Sequence, residues 1–153
     1  MPGFMIDRET RDVLRRLVMY ETGSVGDFQI HVEQGERDDA LRNAEKARTV
    51  CQMLDDLGWS TGDPRERYEI SMPLPDLVLW LREERTAEKG ALGDNLRTLE
   101  QQQAGEEGHM YSDHSQEESI AVTRSYIERD HRTIAVLSRL IDELGEPAEM
   151  VVA

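Results

Sequence analysis

Apolar residues recur along most of this chain at the three- and four-residue steps of amphipathic helices. From Arg37 to Trp59 they fall at Ala40, Leu41, Ala44, Ala47, Val50, Cys51, Leu54 and Leu57, which makes one wide stripe. Asp38 or Asp39 suits the start of that helix and Gly58 its stop, with Trp59 placed to fold back on the last turn. An earlier helix is predicted from its N-cap, Asp7, to about Thr22, with Val13, Leu14, Leu17 and Val18 inward and Gly23 ending it. Phe4 and Ile6 are positioned to staple its first turn. A shorter helix is predicted from Ser24 to Gln34 through Val25, Phe28 and Val32, stopped by Gly35.

After Trp59 the pattern changes period. Tyr68, Ile70 and Met72 alternate with Glu69 and Ser71, as in a strand. With no second strand in view, this segment reads as an extended connector or an edge that pairs with another copy. Pro73 and Pro75 end it, and Asp76 opens a helix with Leu74, Leu77, Val78 and Leu81 on its apolar side and Trp80 at the edge. From Arg82 to Lys89 the residues are nearly all polar, so the helix is expected to leave the core before Gly90. Residues 90–115 contain Gly90, Gly93, Gly105 and Gly108 and are predicted to form a mobile connector, with a short helix from Asp94 to Gln103. A last helix is predicted from about Ser115 to Leu144, stopped by Gly145 and Pro147. Ile120, Ile127, Ile134 and Ile141 recur in it every seven residues; three residues on from each come Thr123, Asp130, Leu137 and Leu144. This heptad-like seam is polar in its first half, and it is expected to fold back on the 37–59 helix or to pair between chains.

The 153 residues fit one helical domain with a core of its own. Acids outnumber bases 32 to 18, for a formal charge of −14, which disfavours nucleic acid and anionic membrane as direct partners. No stretch approaches the ~20 apolar residues of a membrane span, and no apolar signal-type run opens the chain, so a cytoplasmic location is expected. Only Lys46 and Lys89 among the bases are lysines, a bias that fits GC-rich coding.

Leu54-Asp55-Asp56-Leu57-Gly58-Trp59, Asp63-Pro64-Arg65-Glu66 and Glu69-Ile70-Ser71-Met72-Pro73 together resemble a group of small acidic helical proteins from actinobacteria. In that group a long helix ends in a leucine-glycine-tryptophan turn and a Met-Pro step starts the next helix. The resemblance covers residues 5–85 and, more loosely, the last helix. It implies an all-α fold and carries over no catalytic or binding residue.

Candidate chemistry is sparse. Glu128 and His131 make a Glu-x-x-His step of the kind used in di-iron bundles, but its only companion, Glu106 with His109, lies among glycines. His109, Asp113, His114, Glu128 and His131 are therefore the candidate metal ligands, against the plainer reading that they are surface residues. Cys51 has no histidine nearby in sequence and is expected to be a buried, inert core residue. Asp55 and Asp56 sit in the last turn of the 37–59 helix, where the helix dipole disfavours acids. Relief by Arg65 or Arg67 is the structural expectation; an acidic knob for a basic partner is the functional one.

The sequence thus predicts an all-α bundle of four to five helices with one extended connector. The expected function is a non-enzymatic protein–protein interaction or adaptor module, self-associating or binding a protein partner, without nucleic acid, membrane or cofactor. The interaction candidates are Ile120, Ile127, Ile134, Ile141, Tyr68, Ile70, Asp55 and Asp56. A metal-binding helical protein or metal-dependent enzyme is the first alternative, and an acidic DNA mimic that binds a basic protein is the second.

Overall fold

The computed structural model describes residues 3–20, 37–59 and 62–152. Among these residues the chain is mostly helical, with a small two-stranded sheet. In chain order the elements are β1 (Phe4–Asp7), α1 (Arg8–Tyr20), α2 (Arg37–Leu57), β2 (Arg67–Ile70), α3 (Leu74–Gln103) and α4 (Gln116–Val152). A single 3-10 turn, Glu107–His109, lies between α3 and α4. The helix predicted over 24–34 falls outside the described residues. The chain divides into two compact units, Met1–Asp76 and Leu77–Ala153.

In the first unit, α1 and α2 pack with the sheet around Leu14, Leu17, Val18, Val50, Met53, Leu54 and Leu57, all buried. The alternating segment finds its partner here: β2 pairs antiparallel with β1, Phe4 opposite Ile70 and Ile6 opposite Tyr68. The expected staple is thus a strand, and the expected connector has a sheet to join. Ile6, Tyr68 and Ile70 share the buried side of this ribbon, while Met5, Arg67 and Glu69 face outward. Asp7 still caps α1, accepting the Thr10 backbone N–H at 2.8 Å.

Helix α2 ends at Gly58 as the sequence predicts. Gly58 has φ +86°, and a Cβ there would lie 2.5 Å from Asp63 Oδ2. Two arginines of α1 close the helix end. Arg11, 1 % exposed, donates from Nε to Leu57 O at 2.6 Å and from Nη2 to Gly58 O at 3.4 Å. Arg15 donates to Gly58 O at 3.2 Å and to Trp59 O. These carbonyls would otherwise be orphans of the helix terminus. The Trp59 indole N–H folds back to Asp55 Oδ1 at 2.8 Å, but its ring stays exposed. Cys51 is exposed, contrary to expectation. The buried face is centred on Val50, Met53, Leu54 and Leu57, so Cys51 lies beyond its edge.

In the second unit the predicted breaks do not occur. α3 continues through Gly90 and Gly93 to Gln103. A helical glycine costs about 1 kcal/mol relative to alanine, and the alanine, glutamate, leucine and arginine around these two favour helix strongly enough to carry it. α4 likewise runs past Gly145 and Pro147 to Val152. A Cβ on Gly145 would come within 3.3 Å of Arg82 Nη2, the end of a flexible side chain, and 3.7 Å of Val78 Cγ1, an ordinary contact, so Gly145 faces α3 within a helix that continues past it. No helix among the described residues is long and apolar enough to cross a membrane.

Candidate functional site

The feature that sets this molecule apart is the seam between α3 and α4. Leu81, Glu88, Asn95 and Gln102 follow one another at seven-residue steps on α3; Thr123, Asp130, Leu137 and Leu144 do so on α4. The helices run antiparallel, and two hydrogen bonds set their register. Asn95 Nδ2 donates to Asp130 Oδ2 at 2.7 Å, and Thr123 Oγ1 donates to Gln102 Oε1 at 2.7 Å. The same register places Glu88 opposite Leu137 and Leu81 opposite Leu144.

The seam changes character along its length. Its proximal end buries Leu77, Val78, Trp80 and Leu81 of α3 with Leu137, Leu140 and Ile141 of α4. Its distal end buries Glu88, Gln102, Ser119, Thr123, Asp130 and Thr133 instead. Gln102 and Thr123 are 0 % exposed and Asp130 is 1 % exposed. Meanwhile Ile120, Ile127 and Ile134 are only half-buried, and only Ile141 is buried. The polar residues three positions beyond the isoleucines occupy the centre of the seam, and the isoleucines form its flank.

The flank can be placed. Arg85 Nη1 donates to Ser138 Oγ at 3.4 Å, and Gly145 lies against Val78 and Arg82. Both contacts belong to the side of the seam that carries the isoleucines. Val78, Arg85, Leu92 and Leu99 form the matching heptad row of α3, so Leu92 and Leu99, both half-buried, share this side with them. Above the start of the row, Gln116, Glu117, Ile120, Ala121 and Arg124 line a shallow depression of about 440 Å³.

At the tip, Gln102 organises the turn between the helices. Its side-chain amide donates to His109 O, and its backbone carbonyl accepts from Gln116 Nε2, both at 2.8 Å. The Tyr111 backbone N–H donates to Ser119 Oγ, and its hydroxyl lies 3.1 Å from Thr123 Oγ1. The Tyr111 ring meets Tyr126 edge-on, and the Arg129 guanidinium lies over Tyr126. A reciprocal capping box starts α4: Ser115 Oγ accepts the Glu118 N–H, and Glu118 Oε1 accepts the Ser115 N–H, both at 3.1 Å. The Ser115 backbone N–H, then its hydroxyl, hold the Glu118 carboxyl below its ordinary range. This Ser-x-x-Glu signature is legible in the sequence; the role of Gln102 is not.

Hydrogen bonding in the seam is incomplete. Asp130 Oδ2 is bonded, but Oδ1 has no hydrogen bond among the described residues and only Arg129 Nη2 at 3.9 Å. Arg129 Nε and Trp80 Nε1 are also buried without a hydrogen-bond partner there.

The candidate metal ligands are not brought together. His109 Nε2 is 3.3 Å from Glu106 Oε2, and His114 Nδ1 is 2.9 Å from Ser112 O. Asp113, at φ 63°, Glu128 and His131 are exposed. Among the described residues no three His, Cys, Asp or Glu side chains are grouped as a metal ion would require. Of the interaction candidates, Tyr68 and Ile70 are committed to the core of the first unit. Asp56 accepts from the backbone N–H and hydroxyl of Ser71 at 2.9 and 2.8 Å, while Asp55 holds the Trp59 indole. Arg65 pairs directly with Asp63 and also feels the Asp56 charge, so part of the expected relief by Arg65 stands beside these bonds. No family model, curated protein or solved structure matches the chain.

Proposed function

We propose that this protein is a non-catalytic protein–protein interaction module that self-associates through the isoleucine side of the α3–α4 hairpin. One observation carries the reading: Ile120, Ile127 and Ile134 remain half-exposed while polar residues fill the seam beside them. Fully burying such a side chain is worth about 1.5–3 kcal/mol, so a row of them with Leu92 and Leu99 alongside holds unused association energy. The exposed alanines Ala121 and Ala135 next to the row allow a second helix to approach closely.

The test is sedimentation equilibrium of the full chain and of Ile127→Glu. The wild type is expected to self-associate at micromolar concentration and the variant to remain monomeric while keeping its helical circular dichroism. A wild type that stays monomeric at high concentration, or a variant that associates as well as the wild type, contradicts the proposal.

A further inference from the structure

The two ends of the α3–α4 hairpin differ in what they bury, and this difference bears on how the hairpin opens. The proximal end buries Leu77, Val78, Trp80, Leu81, Leu137, Leu140 and Ile141. The distal end buries amide, hydroxyl and carboxyl groups, and Asp130 Oδ1 and the neighbouring Arg129 Nε lack hydrogen-bond partners among the described residues, as Trp80 Nε1 does at the proximal end. Apolar burial draws on a free energy that water cannot replace, whereas each polar contact exchanges for a bond to water when the seam opens. The distal end is also continuous in sequence. Glu88 to Thr133 includes the outer part of α3, the tip and the first half of α4. It can therefore unfold as one stretch without separating the proximal layers.

We infer that residues 88–133 form a local unfolding unit of low stability, which opens and recloses while the proximal apolar layers stay packed. Few buried apolar side chains are a physical mark of such a unit, and a buried polar group left without a partner weakens its closed form. The inference concerns contacts within one hairpin; because Leu92, Leu99, Ile120 and Ile127 of the proposed association face lie inside this stretch, exchange is read at a concentration where the chain is monomeric.

Amide hydrogen exchange of the full chain, read by peptide at several sub-denaturing urea concentrations, tests it. Amides of 95–103 and 119–130 are expected to exchange at least tenfold faster than those of 78–82 and 137–141, with a weaker urea dependence. The paired variant Asn95→Leu with Asp130→Leu is expected to slow the distal set at least tenfold. Equal protection and equal urea dependence at both ends of the wild-type hairpin would overturn the inference without recourse to any variant. So would a folded paired variant whose distal amides exchange as fast as before.

Discussion

The two units bury polar groups in opposite places. In the first, buried polarity lies at helix ends: Thr10 belongs to the first turn of α1, and Arg11 fills the terminus of α2 with its guanidinium against Leu57 and Gly58 carbonyls. Between these ends the described buried residues are hydrophobic. In the second, buried polarity lies in the middle of a helix–helix seam, where Asn95 meets Asp130 and Gln102 meets Thr123. Polar groups at helix ends satisfy backbone atoms that need partners in any case. Polar groups within a seam displace aliphatic ones and create the need they satisfy. The first arrangement adds stability, whereas the second exchanges stability for a defined pairing, since a helix shifted or reversed would strand each group without its partner.

The largest effect expected from breaking this contrast is at Arg11. Arg11→Leu keeps the apolar stem but leaves the buried Leu57 carbonyl without its donor, while Arg15 still serves Gly58 O. A loss of about 1–3 kcal/mol is expected in urea unfolding. A loss under a few tenths would mean that the α2 terminus is satisfied by other groups.

A smaller effect is expected at the half-buried Asp63, which sharpens the contrast from the first unit's surface. The Arg65 side chain and backbone N–H bond this carboxyl, and the Tyr68 hydroxyl adds to them, so its pKa lies well below the ordinary carboxylate range. A depressed folded pKa gives stability that is complete above the unfolded value of about 4 and declines as pH falls below it. Asp63→Asn is therefore expected to lower the thermal midpoint slightly at pH 7 and to flatten its fall between pH 4 and pH 2. A variant with an unchanged acid limb would place the acid sensitivity elsewhere.

Much of the first unit was legible in the sequence. The α2 stripe ends at Gly58 as its spacing requires, and Tyr68 and Ile70 alternate inward as their period requires. β1 was not legible, because Phe4-Met5-Ile6 is short and its partner strand lies some sixty residues away. The seam of the second unit was legible only in part. The isoleucine heptad is plain, but hydrophobic periodicity points to the isoleucines, whereas the structure centres the seam on the residues beside them. Glu88, Asn95 and Gln102 keep the same seven-residue step, but a polar heptad carries no hydrophobic signal. Gly90 and Gly93 then read as breaks in what is a continuous helix. Cys51 shows the same limit on a smaller scale, since a wide stripe does not reveal which of its edges is covered.

The claim that the distal seam specifies pairing rather than adding stability is tested most directly by a double-mutant cycle on Asn95 and Asp130. Asn95→Leu alone leaves the buried Asp130 carboxyl without its hydrogen bond and is expected to destabilise by about 1–3 kcal/mol. Asn95→Leu together with Asp130→Leu removes both polar groups and is expected to exceed wild-type stability. Single and double variants whose losses simply add, leaving the double the least stable, would contradict the account.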